Sequence, residues 1–450
     1  MGHHLAWQDL AWQVAWQDIA RRGVASRGDF RRGLARCGLG AAAIIVSALV
    51  AAPVPGSAQS GEPIKIGFSM ALTGPLAPNG KQALLGAKIW EEETNAKGGL
   101  LGRKVQLVTY DDQSNPATVP GIYTKLLDVD KVDLVVGPYA TNMNAPAMPV
   151  VMQKGKTYIS LFALGLNSEF HYPKYFSMLP SGPTPKLSFS EGFFQIAAAQ
   201  NPKPQTVALT AEDAEFARNA CEGAREAAKE YGFKVIYDKT YPPGTTDFSP
   251  IIRALQSANA DLVVACSYPL SSVGILQSAN ELNFAPKMFG GAMVGLQATA
   301  FKDRLKSKLN GIVNYETWVP SPKLMAPAEG FFKTYQARAK SEGVDPLGYY
   351  LGGWGYAYLQ VLAEAVEGTK SINDDKLAEY LHNNEFKTIM GDFRFGKDGE
   401  WTKSAMLTVQ YHGVTEAANL DTWRGMDYQT VLTPADQKTG DIIYPYAKAK

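Results

Sequence analysis

The residue groupings in this chain that could do chemistry are few, and most of them fail on spacing. Gly74 to Lys81 has the outline of a phosphate-binding loop, but five residues separate Gly74 from Gly80 where a Walker loop has four, and Gln82 stands where Ser or Thr would hold magnesium. Gly353-Trp354-Gly355 sits inside a helical pattern and reads as close helix packing, not as a dinucleotide loop. Beyond residue 58 the histidines are His171, His382 and His412, with no HxxxH, CxxC or nucleophile-elbow spacing. Asp111-Asp112 could be an acid–base pair, yet adjacent residues on a strand face opposite ways, and with Ser114-Asn115-Pro116 they read as a turn and helix cap. No enzyme, metal or cofactor is expected.

What remains is informative by placement. Met70–Asn79 and Pro138–Asn144 each join the C-terminal end of an expected parallel strand to the start of a helix, where doubly wound sheets bind ligands. Helix N-termini there offer free N–H groups and a positive dipole end, suited to a carboxylate. The candidate contacts are Leu72, Thr73 and Asn79 in one loop and Tyr139, Ala140, Thr141 and Asn142 in the other, with Asn144 as a further donor. The same residues could equally do no more than cap helices.

Those loops need a framework, and the hydrophobic pattern supplies one. Strand-like Ile64–Met70 is followed by a helix over Lys81–Ala96 that stops at Lys97-Gly98-Gly99, then by strands at Val105–Tyr110, Val132–Val136 and Thr157–Leu161 alternating with helices. This βαβ punctuation implies a parallel sheet covered on both faces. After Pro180-Ser181-Gly182-Pro183-Thr184-Pro185 the cycle restarts, with strands at Thr206–Thr210, Lys234–Tyr241, Leu262–Cys266 and Lys287–Gly290. A helical block follows Gly311–Trp318, and Met390–Phe395, the turn Lys397-Asp398-Gly399 and Ala405–Tyr411 read as a hairpin. The expected fold class is therefore α/β, with two doubly wound lobes.

The front of the chain is different. Six arginines between Arg21 and Arg36 precede an uncharged run from Cys37 to Ser60, a positive n-region and an apolar h-region with cleavage expected near Ala58. The apolar part is short for a membrane span and is broken by Pro53 and Pro55. The Ala-Trp-Gln repeats from Ala6 to Asp18 lie upstream of this leader and point to a mis-called start within residues 1–23. A periplasmic location follows as the expectation. In the whole chain 44 basic residues balance 43 acidic ones, which offers no field for nucleic acid, and the body, 46% hydrophobic across the chain, can bury a large core. Cys221 and Cys266 are expected as two buried thiols, although an oxidising compartment would let them pair.

With these features in place, the chain resembles the periplasmic leucine/isoleucine/valine-binding proteins, the solute receptors of ABC importers. The resemblance rests on Ile64-Lys65-Ile66-Gly67 through Leu72-Thr73-Gly74-Pro75, on Asn95 through Arg103, on Tyr110-Asp111-Asp112 and on Val136-Gly137-Pro138. It implies two lobes, residues 59–181 plus 319–390 and residues 182–310 plus 391–450, joined by crossings near 180–184, 311–318 and 386–395. A ligand would bind between them, the partners being a small carboxylate and a membrane permease, and the protein would be a monomer. A sensor of the same fold acting on another protein is the alternative.

Carried over position by position, the resemblance puts the carboxylate-binding hydroxyl on Thr141 and a short ligand-lining segment on Phe162-Ala163-Leu164, with Leu164 where amino-acid binders have threonine. Second-lobe aromatics fall on Phe216 and Tyr268. The acid that would neutralise an α-ammonium falls at Ala292, beside Met293, so the acid is missing unless Glu212, Asp213 or Glu215 replaces it. The expected ligand is a hydrophobic amino acid or an aromatic or aliphatic acid.

Overall fold

The computed structural model describes residues 61–450. The leader, the cleavage point near Ala58 and the Ala-Trp-Gln repeats lie outside the described residues. The first lobe begins with β1 (Ile64–Met70), α1 (Ala77–Ala96), β2 (Val105–Asp111), α2 (Val119–Asp128), β3 (Leu134–Tyr139), α3 (Thr141–Gln153), β4 (Tyr158–Leu161), α4 (Asn167–Phe170) and β5 (Tyr175–Ser177). Its strands are parallel and ordered β2-β1-β3-β4-β5. β3 is buried along its whole length because helices cover both faces, which is why its sequence is a run and not an alternation.

The second lobe contributes α5 (Pro185–Ala198), β6 (Thr206–Glu212), α6 (Glu215–Glu230), β7 (Lys234–Tyr241), α7 (Ser249–Ala258), β8 (Leu262–Ser267), α8 (Pro269–Glu281), β9 (Met288–Met293), α9 (Thr299–Leu305) and β10 (Ile312–Glu316). The chain then makes α10 (Pro322–Met325), α11 (Glu329–Glu342), α12 (Gly352–Thr369), α13 (Asp374–Asn383), β11 (Glu385–Thr388) and β12 (Gly391–Arg394) before closing with β13 (Leu407–Tyr411) and β14 (Gln429–Thr433). The second sheet runs β14-β13-β10-β9-β8-β6-β7, with β13 and β14 antiparallel additions at one edge.

Three expectations need correcting. Ile312–Glu316 is not a crossing: it pairs with β9 and β13 inside the second sheet, so the chain leaves that lobe only at Thr317. The hairpin joins β11 to β12, because Phe386 and Phe393 face each other on its buried side and Gly391 takes the positive φ of 123° that ends its turn. The Lys397-Asp398-Gly399 turn exists, but it brings Phe395 against Trp401, not against Ala405–Tyr411. Phe393 stacks on Trp401, and the Ser177 N–H donates to the Gly399 carbonyl, so residues 391–401 pack on the first lobe. The third crossing therefore lies after Trp401, not at 386–395, and it runs beside the first, with the Ala405 N–H donating to the Pro180 carbonyl at 2.8 Å.

Cys221 on α6 and Cys266 on β8 form a disulfide, their Cα atoms 6.0 Å apart, so the expectation of two free thiols was wrong. The pairing was hidden because sequence cannot say that α6 lies across β8. A bond closing a loop of this length constrains the unfolded chain, and replacing both cysteines by serine should cost about 2–4 kcal/mol in denaturant unfolding. An unchanged midpoint would show that the bond does not stabilise the lobe.

The returning helix α12 is seated on α1. A Cβ on Gly355 would collide with the backbone of Ala83, and one on Gly86 with the carbonyl of Gly352, so glycine sets how closely the helices approach. Gly355→Ala should therefore destabilise the protein by about 1–3 kcal/mol. Gly330→Ala on the exposed side of α11, where a Cβ meets nothing, should be neutral or stabilising by about 0.5–1 kcal/mol. Equal effects of the two changes in urea unfolding would rule out the close contact as the cause.

Candidate ligand-binding site between the lobes

In each sheet one strand lies inside its successors: β1 between β2 and β3, and β6 between β7 and β8. The connections leave such a strand in opposite directions and open a crevice at its C-terminal end. The two crevices face each other. From the first lobe come Tyr139, Ala140 and Thr141 at the β3–α3 junction and Phe162 after β4; from the second come Phe216, Tyr268 and Val294, with Tyr315 on β10. Ala140 and Phe162 hold φ of 85° and 58°, unusual for residues with a Cβ and a sign that the strand tips are shaped for a purpose. The space enclosed is about 20 Å³, room for roughly one water molecule.

Thr141 is fully buried and is the first residue of α3, three positions earlier than the sequence pattern places the helix start. Its hydroxyl oxygen accepts from the Leu164 N–H at 3.0 Å, which leaves the hydroxyl proton uncommitted. Asn142 lies outside the cavity, and its Oδ1 accepts from the Tyr268 hydroxyl at 2.8 Å, a bond that spans the two lobes. A second such bond runs from Asn219 Nδ2 to the Leu164 carbonyl at 2.9 Å. Beyond the Asn142–Tyr268 bridge the cleft widens into an outer groove of about 730 Å³.

The other expected site residues divide. Leu72 and Thr73 do not line the cavity: their N–H groups, at 3.0 and 3.2 Å, and the Thr73 hydroxyl, at 2.7 Å, all donate to the Asp111 carboxylate. Although burial pushes the Asp111 carboxyl up, these bonds together with that from Gln113 hold it below the usual range. Asp111 is thus a loop tie, in keeping with a turn role. Asn79 stands behind the wall and donates from Nδ2 to the Tyr139 hydroxyl at 3.1 Å. Ala163 and Leu164 are buried but do not line the cavity. Ala292 and Met293 are also set back, since Ala292 is laddered to Cys266 and the Met293 N–H is held by Asn314; Val294 lines the cavity instead.

Sequence reasoning missed Leu179, Phe189, Val294, Tyr315 and Tyr350, all of which line the cavity. Tyr315 was within reach, as an aromatic in the Gly311–Trp318 stretch, but that stretch was read as a crossing. None of the lining residues carries a charge. Burial pushes the Tyr139 hydroxyl up to about 12 and those of Tyr268, Tyr315 and Tyr350 well above their ordinary value, so all four are hydroxyl donors at physiological pH. Glu212, Asp213 and Glu215 border the outer groove, and Glu212 Oε2 is already engaged by the Tyr268 N–H at 3.1 Å. Among the described residues no cluster of three potential ligands suits a metal, and no helix is long and apolar enough to cross a membrane.

Residues 63–415 match the family described as periplasmic binding protein. The chain belongs to that family. It is 28% identical over 387 residues to Leu/Ile/Val-binding protein homolog 7 of Brucella abortus, covering 80% of this chain and 92% of that protein. In fold it is similar to a branched-chain amino acid transporter substrate-binding protein from Streptococcus pneumoniae in complex with isoleucine (TM-score 0.67, 22% identity, 83% of this chain and 100% of that one). It is similar also to an ABC transporter solute-binding protein from R. palustris in complex with benzoate (TM-score 0.68, 16% identity, 84% and 98%). Membership of this family makes the chain a binding receptor and not an enzyme, and its fold is shared with solute-binding proteins of ABC transporters.

A carboxyl on the second lobe is perturbed by one on the first. Glu215 on α6 is pushed up to about 7 by burial and by Glu169 on α4 of the opposite lobe, against the pull of Arg218 and Lys186. If the lobes part and carry Glu169 away, Glu215 holds its proton less tightly, so closure should gain as pH falls, by at most about a decade per pH unit. Small-angle scattering should show a smaller radius at pH 6 than at pH 8, and Glu215→Gln should remove the difference. A radius independent of pH in the unmodified protein would contradict the assignment.

Proposed function

We propose that this receptor captures a small carboxylate with an aromatic or aliphatic body, in preference to a zwitterionic amino acid. The observation that carries this is the absence of any carboxylate from the cavity wall, where Val294 lines the cavity two positions beyond Ala292, the position at which the resemblance leads one to expect an acid. The acids that could substitute border the outer groove, on the far side of the Asn142–Tyr268 bridge. Leaving a buried ammonium without its partner costs roughly 3–5 kcal/mol, and each 1.4 kcal/mol is about tenfold in affinity. Thr141 supports the carboxylate half of the reading, because its free hydroxyl proton stands beside the first amides of α3, which precede the helical ladder. The benzoate complex of the R. palustris protein is consistent with an aromatic acid in this fold.

A cavity of about 20 Å³ is far below the roughly 300–1,000 Å³ of ligand pockets, so the ligand enters by a parting of the lobes about the three crossings. We also propose that the protein works in the periplasm after cleavage near Ala58. The arginine-rich leader motivates this, and the disulfide suits an oxidising compartment. N-terminal sequencing of periplasmic protein tests it, and a mature chain that retained Trp7 would defeat it.

Calorimetric titration with phenylpropionate and phenylalanine tests the ligand class. The unmodified protein should bind phenylpropionate at least tenfold more tightly. Thr141→Ala should weaken binding by about 1–3 kcal/mol, as for loss of a hydrogen bond to a charged group. Val294→Glu should shift the preference toward phenylalanine. A natural preference for phenylalanine of tenfold or more would make this an amino-acid receptor.

A further inference from the structure

The inner cavity holds a chain of hydroxyls whose protons do not balance. Asn79 Nδ2 donates to the Tyr139 hydroxyl at 3.1 Å, the Tyr139 and Tyr350 hydroxyls lie 3.3 Å apart, and those of Tyr350 and Tyr315 3.2 Å apart. Three hydroxyl protons share two links, and none of the three oxygens has a further hydrogen-bond partner among the described residues. One proton is therefore surplus. Running head-to-tail from the Asn79 amide, the direction in which each bond strengthens the next, the chain leaves that proton on Tyr315. Turning the Asn79 amide over would let its unpartnered Oδ1 take a proton, but it would leave the buried Nδ2 group without the one acceptor it has, the Tyr139 oxygen. Both hydroxyl links are also longer than the roughly 2.7–2.8 Å usual between oxygens, so the chain gives way readily to a better acceptor.

Tyr139, Tyr350 and Tyr315 line the same cavity as Thr141. The remaining tyrosine there, Tyr268, has spent its proton on Asn142. The wall thus presents two uncommitted hydroxyl protons, one at Thr141 and one at Tyr315, and no charged acceptor.

Resting on the carboxylic-acid reading above, we infer that the ligand bears, besides its carboxylate, a second oxygen that accepts a hydrogen bond from Tyr315, as an ether, carbonyl or phenolic oxygen on an aromatic or aliphatic body would. Thr141 answers the carboxylate, and the tyrosine chain answers the second oxygen. An acid without that oxygen leaves the surplus proton buried and unpaired.

The test is calorimetric titration of the full mature chain with two acids of like shape, para-methoxyphenylpropionate and para-ethylphenylpropionate. The unmodified protein should favour the methoxy acid about tenfold, the scale of one buried hydrogen bond. Tyr315→Phe should bring the two within about twofold, and its thermal unfolding, followed separately, reports that it folds. Equal binding of both acids by the unmodified protein, a comparison that needs no variant, would overturn the inference and leave the carboxylic-acid reading standing. A preference that survived in Tyr315→Phe would overturn it as well. Failure of both acids to bind at millimolar concentration would overturn the carboxylic-acid reading itself, and this inference with it.

Discussion

A parallel strand cannot be reached by a tight turn, and this one constraint organises the molecule. Each strand needs a crossover, so each sheet grows outward from an interior strand, β1 in one lobe and β6 in the other, with connections departing on both sides. The crevice left at the end of that strand belongs to no helix and no neighbouring strand. Binding residues collect there because backbone N–H groups and strand-tip side chains converge without having to pair with one another.

What fills the crevices is chosen for neutrality. Aromatic rings carry the apolar surface, and Phe189 against Tyr315 and Phe216 against Tyr268 give the second lobe's wall a rigid, interlocked face. Charge is kept outside the cavity, where Glu215, Glu169 and Lys186 meet between the lobes. Selectivity in such a site rests on which hydroxyls have a proton to give. A buried polar group left unpaired costs more than a pairing returns, so a neutral wall can discriminate sharply without a single ion pair.

The sequence was most legible where local pattern and global position agree. Ile64–Met70 and the run at Leu134–Val136 could only be buried strands, and Thr141 could be placed because it follows a strand end directly. The family motifs extended that reading to Phe162, Phe216 and Tyr268. Legibility failed where a residue's role depends on a distant partner. Leu72 and Thr73 read as free donors until Asp111, on the adjoining strand, is seen to occupy them. Val294 was missed because the end of β9 extends past the glycine pair that marked it, and Tyr350 because it precedes α12 in a stretch read as helix. The hairpin was misassigned because Lys397-Asp398-Gly399 is a true turn whose returning arm is only Trp401.

The three crossings also bear on how the polypeptide matures. Neither lobe is a continuous piece of chain: α1, among the first elements made, is covered by α12, and the first lobe is not complete until Trp401 has arrived. Contacts so remote in sequence form slowly, since a long loop must close before they return any free energy. The early strands therefore wait, with an apolar face uncovered, for most of the time the chain takes to emerge. A protein wired in this way stays threadable until late and is vulnerable to aggregation over the same interval.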